Sequence, residues 1–170
     1  YLARTSGNFL TRWLFGKAEN EMNVSSIDEI ADACRVMSET KTGALIVIQH
    51  NASLEFVTQT GDTIDAAINR RLIENIFFKN SPLHDGAMVI YRDRITAARC
   101  TLPMVKNPNI PAHYGMRHRA AVSISQDTDA DAIVVSEETG NISYVSSGEL
   151  KTITSISELK LSIENSFRKN

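Results

Sequence analysis

The sequence predicts one α/β domain, a mixed and mostly antiparallel β-sheet flanked by helices. Three observations predict it. Short apolar runs rich in β-branched residues stand at 44–48, 87–91 and 132–135. The last two are each followed by a tight polar turn and a returning apolar run, which is the pattern of a hairpin. Segments with helical apolar spacing lie between and around these runs. Hairpins supply antiparallel pairs, and intervening helices cover the sheet faces.

Taken in order, a helix is expected over 26–39. Ser26 and Glu29 have capping-box spacing, and Ile27, Ile30, Ala31, Cys34 and Met37 share one face. Lys41, Thr42 and Gly43 close it, and Ala44 to Ile48 is a buried strand. His50 to Ser53 reads as a turn and Leu54 to Thr58 as a second strand. Thr60, Gly61 and Asp62 break the chain. Ile64, Ile68, Leu72 and Ile76 repeat every four residues, which predicts a helix over roughly 63–78, ended by Asn80, Ser81 and Pro82.

Ala87 to Tyr91 is the next strand, Arg92 to Arg94 a tight turn, and Ile95 to Leu102 the partner strand. A loop carrying Pro103, Pro108 and Pro111 follows. Residues 116–125 fit a short helix or a strand. Ala132 to Val135 is a buried strand, Glu138 to Gly140 a turn, and Ile142 to Ser146 the return. Ser155 and Glu158 form another capping box, and Ile156, Leu159, Ile163 and Phe167 define a last helix. Residues 26–170 form the domain, and 1–25 an appended segment.

The composition is that of an ordinary globular chain: 170 residues, 42% hydrophobic and 22% charged. That excludes wholesale disorder and leaves room for a real core. Net charge is −2, which argues against a general basic field that wraps nucleic acid, although a local positive cluster remains open. Cys34 and Cys100 are too few for a disulfide framework, and both sit in apolar stretches, as small core residues in a reducing compartment do. The chain opens at Tyr1, which reads as a piece of a longer protein. No run reaches the ~18 apolar residues of a membrane helix, and no signal peptide is visible. Phe9, Leu10, Trp13, Leu14 and Phe15 beside Arg4, Arg12 and Lys17 fit either an amphipathic helix packed on a neighbour or a juxtamembrane segment.

Familiar nucleotide motifs are missing: there is no P-loop, no Gly-x-Gly-x-x-Gly, no Gly-x-Ser-x-Gly elbow and no closed zinc spacing. Three clusters remain, each beside an expected strand end. Leu83-His84-Asp85-Gly86-Ala87 is either a plain Asp-Gly turn or a ligand approach. In the second case Gly lets a ligand near the backbone and Asp holds a hard cation. Gly115-Met116-Arg117-His118-Arg119 is either a solvated basic turn or a phosphate site, for which guanidinium forks are suited. Ser136-Glu137-Glu138-Thr139-Gly140 is either an exposed turn or a carboxylate at a strand end, contacting metal or ribose. Acids for a divalent cation and cations for phosphate are the minimal equipment of phosphoryl or nucleotidyl transfer.

At these residues the sequence resembles the diadenylate cyclase family, and within it the membrane-anchored cyclic di-AMP synthases. The resemblance runs from about Lys41 to Leu150. It rests on Lys-Thr-Gly-Ala-Leu-Ile-Val-Ile at 41–48, Pro-Leu-His-Asp-Gly-Ala at 82–87, Arg-His-Arg-Ala-Ala at 117–121 and Val-Ser-Glu-Glu-Thr-Gly at 135–140. It implies condensation of two ATP into cyclic di-AMP and two pyrophosphates, with a divalent metal (Mg2+, Mn2+ or Co2+), at a face-to-face homodimer. The alternative is a catalytically weak or inactive module that binds ATP or cyclic di-AMP.

The resemblance also implies roles. Asp85 lies near the attacking 3′-hydroxyl and the metal, and Gly86 admits the nucleotide. His84 is a metal ligand or a structural imidazole. Arg117 and Arg119 counter the triphosphate charge, with His118 between them shaping the pocket. Ser136 and Glu138 contact phosphate and metal, Glu138 being preferred over Glu137 by spacing. Leu102 offers its backbone to the adenine edge. Two departures stand out. Met116 occupies a place where the family usually has Thr, and Thr101 one where many relatives have a Tyr that stacks on adenine. The anchored relatives imply a linker role for residues 1–25 and a location on the cytoplasmic face of the membrane. They also imply a membrane-anchored regulator and a sugar-phosphate mutase as partners, with no nucleic acid.

Overall fold

A seven-stranded sheet in the order β2-β4-β3-β1-β5-β6-β7 organises the chain. The structure is a computed structural model, and it describes residues 22–104 and 110–168. The strands are β1 (Ala44–Gln49), β2 (Asp62–Ala67), β3 (Ala87–Tyr91), β4 (Arg94–Cys100), β5 (Asp131–Val135), β6 (Ile142–Ser146) and β7 (Glu149–Ile153). Among the described residues the helices are α1 (Val24–Glu39), α2 (Glu55–Thr58), α3 (Arg70–Phe77), α4 (Met116–Asp127) and α5 (Ile156–Ser166). Only β1 and β3 pair in parallel; the other ladders are antiparallel. The expected fold class is therefore the one found. The segment 1–25 lies outside the described residues up to position 21, and so does Pro108.

Strand alternation splits the core in two. On one face Ala44, Ile46, Ile48, Met88, Ile90, Ile133 and Val135 meet α1, α3 and α5 through Ile30, Cys34, Met37, Ile73, Phe77, Leu159 and Ile163. On the other, Leu45, Val47, Val89, Ala132, Val134 and Val145 meet Val57 of α2 and Ala121, Val122 and Ile124 of α4. Burial pushes the Cys34 thiol up to about 12 and, helped by Asp62, that of Cys100 to about 11. Both stay protonated, as small apolar core residues.

Three expectations are corrected and one strand is added. Residues 54–58 are not a strand but the turn of helix α2. Ser53 Oγ accepts from the Glu55 N–H, and only Leu54 and Val57 are buried, while Phe56 is exposed. The helix over 63–78 begins only at Arg70. A spacing of four is also an even number, so Ile64 fits a period of two equally well, and 62–67 alternate in burial as edge strand β2. Asn69 then caps α3 by accepting from the N–H groups of Arg71 and Leu72.

The capping box at Ser26 does not form. The helix starts earlier, with Asn23 at the N-cap and Ser26 buried, and Glu29 instead accepts from the Arg70 N–H at 2.7 Å, tying α1 to the start of α3. Strand β7 was not expected. Its charged pattern suits an edge, and Ser147 and Gly148, with φ of 51° and 78°, make the two-residue turn that joins it to β6. The Ser155 cap is present, accepting from the Glu158 N–H at 3.1 Å. Residues 116–125 are helical.

Candidate functional site

Strand directions gather the three sequence clusters at one end of the sheet. Gly43 precedes β1, whose Ala44 pairs with Val135 at the end of β5. Val135 pairs in turn with Ile142 at the start of β6. Gly86 precedes β3, parallel to β1, and Ala87 pairs with Cys100 at the end of β4. Helix α4 begins at the same end, with Gly115 at its N-cap. The first N–H groups of a helix lack acceptors and carry partial positive charge, which favours anions.

Two neighbouring cavities open there. The larger, about 700 Å³, is lined by Asp85, Gly86, Thr101, Leu102, Met116 and Arg117, among others that include Arg99 and Met104. The smaller, about 330 Å³, is lined by Tyr114, Met116, Arg117, His118, Ser136 and Glu138, among others. Both sizes suit small molecules, whose sites run from ~300 to ~1,000 Å³. Arg117 and Met116 belong to both cavities and form the ridge between them. Arg119 lines neither, and its guanidinium makes no hydrogen bond or ion pair with the described residues. His84 lines neither cavity and stands beside Asp85.

Each side chain has a local reason for its place. Gly86 has φ of 103°, and a Cβ there would stand 2.6 Å from the Cys100 carbonyl oxygen, so only glycine fits where β3 begins. The neighbouring Asp85 side chain is 85% exposed. The loop after β5 is closed by Ser136 Oγ, which accepts from the N–H groups of Glu138 and Thr139. Its far side is pinned by Ser38 of α1, whose hydroxyl donates to the Gly140 carbonyl at 2.5 Å. His118 is buried, and its ring packs against that of Tyr114 at 4.8 Å between centroids, tilted by 41°. Burial first, then the Arg117 charge, hold its pKa below the usual histidine value; Glu138 pulls the other way and His113 adds the least. The imidazole is neutral at pH 7.

Between the two adjacent acids, Glu137 is the one that faces Arg117, with Oε2 at 3.6 Å from Nη1. Both acids line the smaller cavity. Sequence reasoning gave no role to Gly43, Tyr114, His113 or Arg99. The signal for Gly43 was present in the 41–48 block; the other three carried none.

The donor pair near Asp85, one carboxylate and one imidazole, suits a transition-metal cation such as Mn2+ or Co2+ better than Mg2+. His84 Nδ1 lies 2.7 Å from the Ser81 carbonyl, which can only accept, so Nδ1 donates and Nε2 is the nitrogen left to face a cation. That Nε2 stands 3.5 Å from Asp85 Oδ1. Two ligands of one octahedral magnesium stand about 3 Å apart. Among the described residues no cluster of three His, Cys, Asp or Glu exists, so phosphate oxygens and water would complete such a shell.

Comparison with known proteins gives a consistent result. Residues 31–150 match the family described as "DAC: DisA bacterial checkpoint controller nucleotide-binding". The chain is 38% identical over 164 residues to the cyclic di-AMP synthase CdaA of Bacillus subtilis, covering 96% of this chain and 59% of that protein. It is 39% identical over 153 residues to a diadenylate cyclase of Listeria monocytogenes, covering 90% and 55%. The chain thus spans under two thirds of the length of these relatives. Among solved structures, a double-cysteine variant of DacA from Staphylococcus aureus superposes with a TM-score of 0.81 at 37% identity, over 84% of this chain and 95% of that one.

Proposed function

The chain belongs to the DAC nucleotide-binding family, and from that premise we propose that it is a diadenylate cyclase, condensing two ATP into cyclic di-AMP and two pyrophosphates. One observation carries the reading: Asp85 and Arg117 line a single cavity, and Arg117 opens into the next one beside Ser136 and Glu138. The larger cavity takes the nucleoside, against Leu102 and Gly86. The smaller takes the triphosphate, against the start of α4.

In each half-reaction a ribose 3′-oxygen bonds to the α-phosphorus of the other ATP. The bond from that phosphorus to the bridging oxygen breaks, its electron pair leaves with pyrophosphate, and the hydroxyl proton passes to the Asp85 carboxylate and on to solvent. Two such events close the ring. One domain holds one ATP, so two domains face each other, and the exposed Met104 and Met116 at the cavity rim supply apolar surface for that contact. Arg117 balances charge on the triphosphate as it grows on the leaving group. Arg119 adds positive potential from outside the cavities. Neutral His118 walls the phosphate side. Ser136 offers its hydroxyl proton to a phosphate oxygen. A divalent cation, held by Asp85 and His84 with phosphate oxygens and water, would neutralise phosphate charge and favour loss of the hydroxyl proton; Glu138, expected as a third ligand, lines the other cavity and forms no cluster with that pair among the described residues.

The whole protein's setting follows the same premise. We place the domain at the cytoplasmic face of a membrane, joined through residues 1–25 to an anchor, with a regulator and a sugar-phosphate mutase as partners. Among the described residues no helix is long and apolar enough to cross a membrane.

Incubation with ATP and Mg2+, Mn2+ or Co2+, read by mass spectrometry, should yield cyclic di-AMP. The rate per protomer should rise with protein concentration, as mass action requires of a dimeric catalyst. No product at any concentration, with saturable ATP binding, would favour the second reading, a binding module. Met116 supports that alternative: it is 71% exposed on the ridge and offers no hydroxyl to a phosphate.

A further inference from the structure

The direction of Arg117 depends on a side chain that is not there. Gly43 is buried at the entry to β1. A Cβ added to it would fall 2.6 Å from Nη1, 2.7 Å from Cζ and 3.1 Å from Nη2 of Arg117, and these are its three nearest heavy atoms. Carbon atoms do not approach guanidinium groups that closely, so the guanidinium occupies the space a side chain would fill. The backbone does not require glycine at this point, because Gly43 is outside the left-handed region, unlike Gly86, Gly140 and Gly148. What position 43 contributes is room.

That room matters because of where the guanidinium sits. Arg117 is the second residue of helix α4, and its side chain is 25% exposed, so neighbours set its direction. One neighbour is the Gly43 backbone; the other is the Glu137 carboxylate at 3.6 Å. The fork lies on the ridge shared by both cavities, against Gly43 and within loose electrostatic reach of Glu137. We propose that Gly43 is a positioning residue for nucleotide binding: its missing side chain lets the Arg117 guanidinium lie over the start of β1, where it can reach a phosphate bound between the cavities. The role rests on the nucleotide site proposed above. An Arg is rigid and planar at its tip, so displacement by a methyl group changes the direction of all its donors together.

The test is a double-mutant cycle on Gly43→Ala and Arg117→Ala, with 3′-deoxyATP and Mg2+ as the probe. That nucleotide lacks the attacking hydroxyl, so calorimetry reads binding without turnover. Gly43→Ala alone should weaken binding about tenfold or more, the scale of a lost hydrogen bond to a charged group. In the Arg117→Ala background the same substitution should change binding by less than about twofold, since nothing remains for the methyl to displace. Thermal melting gives a second readout. The clash is with Arg117 alone among the nearest atoms, so any stability lost in Gly43→Ala should return in the double variant, which also covers a single variant that folds poorly.

Equal losses in both backgrounds, or unchanged binding in Gly43→Ala, would overturn the role of Gly43 while leaving the cyclase reading intact. Failure of the unaltered chain to bind 3′-deoxyATP and to make cyclic di-AMP would overturn the cyclase reading, and the role of Gly43 with it.

Discussion

Nη1 of Arg117 stands 3.6 Å from Oε2 of Glu137, on the ridge that divides the two cavities. The separation is beyond hydrogen-bond length, so the contact is electrostatic and easily exchanged for a phosphate oxygen. Glu137 is 65% exposed, which weakens the pair further through solvent screening.

Glu137→Gln should therefore tighten ATP binding. An exposed pair is worth ~0.2–1 kcal/mol, so the gain is up to about fivefold in affinity, read by calorimetry. Weaker binding in this variant would mean that Glu137 helps hold the nucleotide rather than competing with it.

Asp85→Asn should reduce cyclic di-AMP formation by about a hundredfold or more, the range of a lost proton acceptor. The carboxylate is 85% exposed and its hydrogen-bonding shape is kept, so the melting temperature should stay close to that of the parent chain. Product assays beside thermal melts separate the two effects, and near-normal turnover would remove Asp85 from the chemistry.

Gly86→Ala should destabilise the fold as well as the site. A φ of 103° and a Cβ at 2.6 Å from the Cys100 carbonyl both oppose it. Forcing a residue into such a conformation costs ~1–3 kcal/mol, which lowers the melting temperature by about 2–4 °C per kcal/mol in a chain of this size. An unchanged melt would show that β3 can shift to make room.

Acid should destabilise the protein through two buried histidines. His118 lies in the smaller cavity. His50 packs edge-on to Phe167 at 4.7 Å, and its Nε2 has no hydrogen-bond partner among the described residues. For His50, burial lowers the pKa more than Asp131 and Asp129 raise it. Both groups thus have folded values below the unfolded ~6.5, so their contribution is fully present above pH ~6.5 and is lost as pH falls below it, toward their folded values. Melting temperatures measured between pH 7.5 and 5 should fall, and less steeply in His50→Gln. A melt that is flat over this range would contradict the buried, neutral state.

The site was legible in the sequence as chemistry, and its assembly was not. Asp85-Gly86, Arg117 and Ser136-Glu138 stood out as residue types that suit cations and phosphates. Arg119 stood out equally, yet it lies outside both cavities, because neighbouring positions on a helix diverge by about 100° and two residues on bring the side chain to another face. Spacing favours Glu138 over Glu137, and spacing does not reveal that Glu137 is the carboxylate that meets Arg117. Gly43 lay inside a recognised block without a role, since a glycine's function here is defined by what another element puts against it.

The strands at 44–48, 87–91 and 132–135 were decided by the sequence alone, because a run buried on both faces leaves no alternative to an apolar, β-branched stretch. The sheet with helices on its faces followed from them. Residues 54–58 and 62–67 were decided by tertiary structure. Their patterns satisfy either period, and the choice fell to β4, which offered a ladder to 62–67, and to the two core positions open to Leu54 and Val57. The same holds for the site: local sequence determines which groups are chemically able, whereas the parallel run of β3 beside β1 and the antiparallel return of β5 bring those groups to one edge. Contacts between residues tens of positions apart depend on how the whole chain packs, and no local window contains that information.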